Sequence, residues 1–227
     1  MIVAIDGPAG SGKSTTAGEV ARRLGYLYLN TGAMYRAVAL AFLRTDTRVS
    51  PEGAAAVLPT LRLDVRHEEG EMCIFLGDED VAKAIKRPEV GQMASQVSTL
   101  AAVRAKLVAE QRRLGRIYGP DPGVVLEGRD IGTVVFPEAE VKIFLVADPE
   151  VRARRRQAEL IAGGTPVSFE AVLAEIRQRD RQDRERALSP LRKADDAIEL
   201  DTSHRSIDAQ VQFVIDRIRE REKARSV

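Results

Sequence analysis

The sequence predicts an α/β fold, a parallel sheet covered by helices on both faces, and three observations carry that reading. Short apolar runs at Ile2–Ile5, Val124–Leu126, Val141–Val146 and Ala197–Leu200 are rich in Val, Ile and Leu and are separated by helical stretches, as strands buried on both faces require. The first run enters a glycine-rich turn and then helix-forming residues from Ser14 to Leu24, which gives strand, loop, helix. Near the end of the chain, Ile207, Val211, Val214, Ile215 and Ile218 are spaced by four, three, one and three. That is one apolar helical stripe, expected to pack on the sheet.

Between these elements the texture changes. Leu61, Leu63 and Val65 alternate with polar residues, and Met72, Ile74 and Leu76 do so again after Glu68-Glu69-Gly70. Two antiparallel strands joined by a turn are expected. They form either a small inserted subdomain or an extension of the main sheet at its edge.

Composition excludes several classes of function. The 227 residues hold 35 Lys plus Arg against 34 Asp plus Glu, a formal charge of +1, without the excess that nonspecific nucleic-acid binders carry. The arginines are not interleaved with aromatics and there is no tryptophan, so no nucleic-acid partner is expected. The longest apolar stretch, Ala37 to Leu43, is flanked by Arg36 and Arg44 and falls far short of the roughly 20 residues that span a bilayer. No membrane role is expected. The single cysteine, Cys73, cannot close an internal disulfide, and the chain runs directly into an apolar strand without a charged leader segment. A cytoplasmic, monomeric protein is expected.

The chemistry begins at Gly7-Pro8-Ala9-Gly10-Ser11-Gly12-Lys13-Ser14, the G-x-x-x-x-G-K-[ST] phosphate loop. Glycines let the backbone turn its N–H groups toward phosphates, and the following helix, which begins with Ser14 and Thr15, adds its positive end. Lys13, expected to be exposed on the loop, supplies a point charge to the β and γ phosphates of ATP. Ser14 supplies a hydroxyl for Mg²⁺, which bridges those phosphates. A phosphate loop alone does not separate kinases from GTPases or mechanical ATPases. The sequence contains no guanine-reading Asn-Lys-x-Asp element, and a helicase or transporter ATPase is usually longer, so a kinase is favoured by elimination.

A nucleotide kinase must hold a second phosphate, and arginine presents the matching fork of donors. In Glu175–Arg186, a helix would bring Arg179, Asp183 and Arg186, spaced by four and three, to one face. A solvated face laced by ion pairs fits the same pattern. Arg152, Arg154, Arg155 and Arg156 form a second cluster ahead of Gly163-Gly164. They read either as a mobile lid that closes over the triphosphate and excludes water, or as an ordinary basic helix end.

Five segments resemble the bacterial cytidylate kinases: Ile5–Ser14, Thr31-Gly32-Ala33-Met34-Tyr35-Arg36, Ala94-Ser95-Gln96-Val97, Glu127-Gly128-Arg129-Asp130-Ile131-Gly132-Thr133 with Val134–Pro137, and Arg179–Arg186. The resemblance runs nearly end to end, and the Gly-Arg-Asp-Ile-Gly-Thr block is its most discriminating part. It implies transfer of the γ-phosphoryl group of ATP to CMP or dCMP. It further implies that Arg36, Arg129 and Arg186 hold the acceptor phosphate, that Tyr35, Arg179 and Asp183 contact the ribose, and that Ser95, Arg104 and Asp130 contact cytosine. Thr31 stands where some members have serine and keeps the hydroxyl. The catalytic set implied is Lys13, Arg129, Arg152 and Arg155. Glu127 is left out of the metal set, because other members carry aspartate at that strand end. The resemblance divides the single domain into a core at about 1–30, 98–147 and 190–227, an acceptor-binding region at about 31–97 and a lid at about 150–168.

The mechanism implied is in-line transfer without a general base, since the acceptor oxygen is already ionised at neutral pH. His67 and His204 are then surface residues. A kinase for UMP or a metabolite hydroxyl is the nearest alternative, and a nucleotide-dependent regulatory switch is the alternative from another class.

Overall fold

A computed structural model describes residues 1–68 and 71–225 of the chain. Its elements are β1 (Ile2–Asp6), α1 (Lys13–Leu24), β2 (Leu27–Asn30), α2 (Thr31–Arg44), α3 (Pro51–Val57), β3 (Leu63–Glu68), β4 (Glu71–Leu76) and β5 (Glu79–Asp80). There follow α4 (Pro88–Val97), α5 (Ala101–Tyr118), β6 (Val124–Gly128), β7 (Val141–Val146), α6 (Pro149–Ala162), α7 (Phe169–Glu185), β8 (Ile198–Asp201) and α8 (Ile207–Arg225).

The main sheet has the order β2-β6-β1-β7-β8 with every neighbouring pair parallel. Successive side chains of a strand point to opposite faces, and the packing follows that alternation. Ala4, Leu126 and Leu29 join the core beneath α2, α4 and α5, with Met34, Val38, Phe42, Leu107 and Phe136. Val3, Ile5, Ile143 and Leu145 face the opposite way and pack with Val20 of α1 and Val211, Val214 and Ile215 of α8. Each such side chain, taken fully from water, contributes about 1.5–3 kcal/mol. The expected stripe on α8 is buried from Val211 onward, while Ile207, in the first turn, is 38% exposed. The Ala37–Leu43 stretch is a core helix segment: Ala37 through Leu40 and Phe42 are buried in α2.

The inserted strands form their own antiparallel sheet, β3-β4-β5, rather than extending the main one. Val65 pairs with Ile74 and His67 with Met72. The turn expected at 69–70 lies outside the described residues. This sheet rests beside edge strand β2: His67 Nε2 is 2.9 Å from Tyr28 O, and the Asn30 N–H donates to Met72 Sδ at 3.1 Å. His67 is therefore partly buried in a contact between sheets, not a surface residue, whereas His204 is exposed.

Helices α6 and α7 pair through a small core of Ala153, Val172 and Ile176. The Arg152–Arg156 cluster lies on α6, and Ser168 caps α7 by accepting the Ala171 N–H at 3.2 Å. Among the described residues no helix is long and apolar enough to cross a membrane.

Candidate active site

All the candidate residues gather at the carboxyl ends of the parallel strands, where an open α/β sheet leaves a crevice. The phosphate loop leaves β1 and enters α1. Gly7, Gly10 and Gly12 have φ of 152°, 74° and 90°, which side chains rarely tolerate. At Gly7 a Cβ would also lie 2.3 Å from Leu145 O. Lys13 is only 5% exposed rather than an exposed loop residue. Its Nζ donates to Pro8 O at 2.7 Å, within its own loop. Burial pushes its pKa down to about 7, with Arg129 adding to the shift and Glu127 and Asp183 opposing it.

Ser14 Oγ donates to Glu127 Oε1 at 2.6 Å, and the Tyr28 hydroxyl donates to the same oxygen at 3.1 Å. Burial, with Glu127 next to it, raises the Tyr28 pKa and keeps it a donor. Glu127 is buried at the end of β6. The residue left out of the metal set thus faces the hydroxyl expected to hold Mg²⁺. Hard oxygen donors at one rim of a phosphate cradle fit an ion that takes one or two protein ligands and completes its shell with substrate phosphates. Among the described residues there is no cluster of three or more His, Cys, Asp or Glu that could form an all-protein cage.

Across the crevice the acceptor candidates form two linked groups. Arg129 Nε donates to Asp183 Oδ2 at 2.8 Å. Arg104 donates to Asp130, with both side chains buried, and Arg186 Nη2 stands 3.9 Å from Asp130 Oδ1. The Arg104 guanidinium lies 5.9 Å from the Tyr35 ring centroid. Thr31 Oγ1 donates to Glu127 O at 2.7 Å, and Ser95 Oγ donates to Gln182 Oε1 on α7 at 3.3 Å. Arg179 and Asp183 share a face of α7 as their spacing requires. Arg186 is the residue after the helix, with ψ 137°, and reaches the site by the chain turning there.

Charge in this crevice is unbalanced toward cations. Burial lowers the pKa values of Arg36, Arg179 and Arg186, Arg179 to about 10, and neighbouring arginines add to each shift. Burial also disfavours the charged form of Arg129, but Asp183, with Glu127 and Asp6 adding to it, makes the net shift upward. Asp183 is held low in return, the arginines around it overcoming its own burial. Arg179 Nε, Arg186 Nη2, the Tyr35 hydroxyl and Ser11 Oγ are buried without hydrogen-bond partners. Buried donors left open beside mutually repelling cations are what a ligand with several anionic oxygens satisfies.

The lid arginines are placed differently from one another. Arg156, with Arg179 and Glu175, lines a recess against Ala9 and Gly10 of the phosphate loop. Arg155 donates to Thr202 O at 2.6 Å and to its Oγ1 at 3.2 Å. Arg152 is 1% exposed, donates to Ala9 O and pairs with Asp180, and is not among the residues that line the recess. Arg152, Arg155 and Arg156 thus stand in three different settings, because a helix turns consecutive residues about 100° apart.

Sequence reasoning missed Asp6. Its carboxylate accepts the Ile131 and Gly132 N–H groups at 2.9 and 2.8 Å, fixing the short π-helical turn Ile131–Val135 that follows Asp130. Burial raises its pKa to about 6, against the pull of those N–H groups. The available signal was an acidic residue ending an apolar strand, one position before the phosphate loop.

Fold and site together define a phosphotransferase, with a phosphate-binding loop on one side of a crevice and open cationic donors on the other. A family model described as cytidylate kinase matches residues 3–220, and the chain belongs to that family, whose activity is phosphorylation of CMP. The chain is 58% identical over 220 residues to the cytidylate kinase of Salinibacter ruber (strain DSM 13855 / M31), covering 96% of this chain and 97% of that protein. It is 49% identical over 223 residues to the cytidylate kinase of Chlorobaculum tepidum (strain ATCC 49652 / DSM 12025 / NBRC 103806 / TLS), covering 95% and 92%. Among solved structures, an uncharacterized protein from Eubacterium ventriosum ATCC 27560 shares the fold at a TM-score of 0.51 and 13% identity, covering 96% of this chain and 98% of that one.

Proposed function

We propose that the chain transfers the γ-phosphoryl group of ATP to CMP and dCMP, giving CDP and dCDP. The observation that carries the reading is the set of open buried donors on Arg179, Arg186 and Tyr35, opposite a glycine loop with its own open Ser11 hydroxyl. In this reading the two nucleotides face each other in one crevice; a CMP phosphate oxygen forms a bond to the γ-phosphorus as that atom's bond to ADP breaks, and ADP leaves.

In this reading the loop N–H groups and Lys13 hold the β and γ phosphates, and nucleotide binding draws Lys13 away from Pro8 O. Arg36, Arg129 and Arg186 hold the CMP phosphate, with Arg129 oriented by Asp183. Tyr35, Arg179 and Asp183 serve the ribose, and Ser95, Arg104 and Asp130 serve cytosine. Ser14 and Glu127 would hold Mg²⁺, which offsets charge on the β and γ oxygens when bound. Arg156 and Arg179, both lining the recess beside the loop, are better placed than Arg152 to stabilise charge on the moving group.

No side chain needs to take a proton. The acceptor is an ionised phosphate oxygen, and the work is orientation and charge stabilisation in a site from which water is excluded. The lone cysteine fits a reducing cytoplasm. Incubation with γ-labelled ATP and CMP tests the proposal directly: label is expected in CDP, and label appearing only as inorganic phosphate would contradict it.

A further inference from the structure

A phosphate loop binds anions only if its N–H groups face inward, and a trans peptide places each carbonyl opposite the N–H that follows it. The direction of the loop carbonyls therefore sets the polarity of the cradle. Two loop carbonyls are held from outside by side chains of other elements. Arg152 Nη1 donates to Ala9 O at 3.1 Å. Thr202 Oγ1 lies 2.9 Å from Ser11 O and 3.1 Å from Val146 O. The hydroxyl donates to Ser11 O, the shorter of the two contacts, while Val146 O also accepts the Thr202 N–H at 2.8 Å.

Turning the Ala9 and Ser11 carbonyls outward turns the Gly10 and Gly12 N–H groups the other way. Arg152 and Thr202 are both buried, at 1% and 0% exposure, and each is fixed by further bonds. Arg152 Nε donates to Ala147 O at 3.0 Å, and its Nη1 and Nη2 pair with the two oxygens of Asp180 at 2.9 and 2.6 Å. The Thr202 hydroxyl also accepts from Arg155 Nη1 at 3.2 Å. Gly10 closes the fit: a Cβ there would lie 3.1 Å from Arg152 Cβ.

We propose that Arg152 and Thr202 are positioning residues that hold the phosphate loop in its anion-binding polarity from behind, and that the Arg152–Asp180 pair ties this brace to α7. Asp180 sits one position from Arg179 and three from Asp183 on that helix, so one rigid helix carries the acceptor residues and anchors the donor loop. The proposal rests on the reading of residues 7–14 as the polyphosphate site and gives Arg152 a role other than contact with the transferring group.

The test measures dissociation constants for ATP and for inorganic tripolyphosphate, with no acceptor present, on the parent protein, Thr202→Val, Thr202→Ser and the pair Arg152→Met/Asp180→Leu. The pair removes both buried charges together, so neither is left uncompensated. Thr202→Val keeps the shape and removes the hydroxyl. Thr202→Val and the pair are each expected to weaken ATP by about tenfold, and tripolyphosphate by the same factor, while Thr202→Ser stays within about twofold of the parent. Unchanged ATP affinity in Thr202→Val and in the pair overturns the proposal. So does weakening of ATP without weakening of tripolyphosphate, because the effect would then lie on the nucleoside. A drop in thermal midpoint with polyphosphate affinity intact marks both residues as merely structural and overturns it as well. If the parent itself binds neither ligand, the reading of the loop fails first and the brace falls with it.

Discussion

Arg129 and Asp183 meet at 2.8 Å although 54 positions separate them in the sequence. Arg129 leaves the end of β6, next to the phosphate loop, and Asp183 lies on α7 opposite. The pair ties the end of β6 to α7, and a second donor of the same guanidinium, Nη1, lies 3.3 Å from Gly128 O. Because Asp183 balances only one of the surrounding cations, charge remains for a ligand to neutralise.

That surplus predicts a contrast between two arginines near one another in sequence. Arg186 has a buried open donor, whereas Arg177 is exposed on another face of α7. Arg186→Ala should raise the KM for CMP by about tenfold or more, as loss of a charge-assisted contact to phosphate does. Arg177→Ala should stay within about twofold. Steady-state kinetics with CMP varied at saturating ATP checks the pair, and equal effects would make the cluster a solvated face.

Lys13 predicts a proton linkage. Its folded, ligand-free pKa is about 7 against an ordinary 10.5. Between those values the unfolded chain binds the proton and the folded chain does not, so stability from this group rises with pH across the window. The penalty for charging it is fully felt below about pH 7. Phosphates arriving beside Lys13 favour its charged form, so ATP binding at about pH 8.5 should take up close to one proton. Titration calorimetry in two buffers of different ionisation enthalpy measures this. Lys13→Met should abolish the uptake and lower turnover by about 10²–10³.

Asp130 predicts base choice. Cytosine offers an N4 amino donor where uracil presents an acceptor, and a carboxylate can only accept. Arg104 holds one oxygen of Asp130, so in Asp130→Asn that bond should keep the amide oxygen on Arg104 and turn the NH₂ toward the base. The ratio of kcat/KM for CMP over UMP should narrow by at least about tenfold. If both substrates fall together with the ratio unchanged, Asp130 orients Arg104 and Arg186 instead of reading the base.

Glu127 predicts a metal dependence. With Ser14 Oγ 2.6 Å from its carboxylate, Glu127→Gln should raise the Mg²⁺ concentration for half-maximal activity by about tenfold, because an amide is a weaker ligand for a hard cation. The dissociation constant of CMP, measured without metal or ATP, should stay within about twofold. A shift in CMP affinity with an unchanged Mg²⁺ requirement would assign Glu127 to the acceptor side.

The phosphate loop, the strands that flank it and α8 were legible in the sequence because glycine spacing and apolar periodicity are local signals. Strand β2 was harder to read: Leu27–Asn30 is four residues long and half-polar, and its place in the sheet is set by pairing with β6 far along the chain. The lid arginines illustrate the limit. Four basic residues within five positions read either as a lid or as a basic helix end, and only the packing of α6 against the loop and α7 sets Arg152 on Ala9 O and Asp180 and Arg156 beside the recess. Asp6 and Asp180 lie inside segments that carry the resemblance and Thr202 lies outside them, but none of the three shows its role locally, since their partners are backbone groups or charges brought near by the fold. The burial of Lys13 was not legible in the loop motif, since it depends on how the side chain folds back onto Pro8 O.

The central claim is that one crevice holds ATP and a cytidine monophosphate together for direct transfer. The most direct measurement is kcat/KM at saturating Mg²⁺ and ATP for CMP, dCMP, UMP and AMP, with the nucleoside diphosphate product quantified alongside ADP. CMP and dCMP should be converted with one diphosphate formed per ADP and at least about a hundredfold preference over UMP and AMP. Equal or better use of UMP or AMP, or ADP released without a matching diphosphate, would contradict the account.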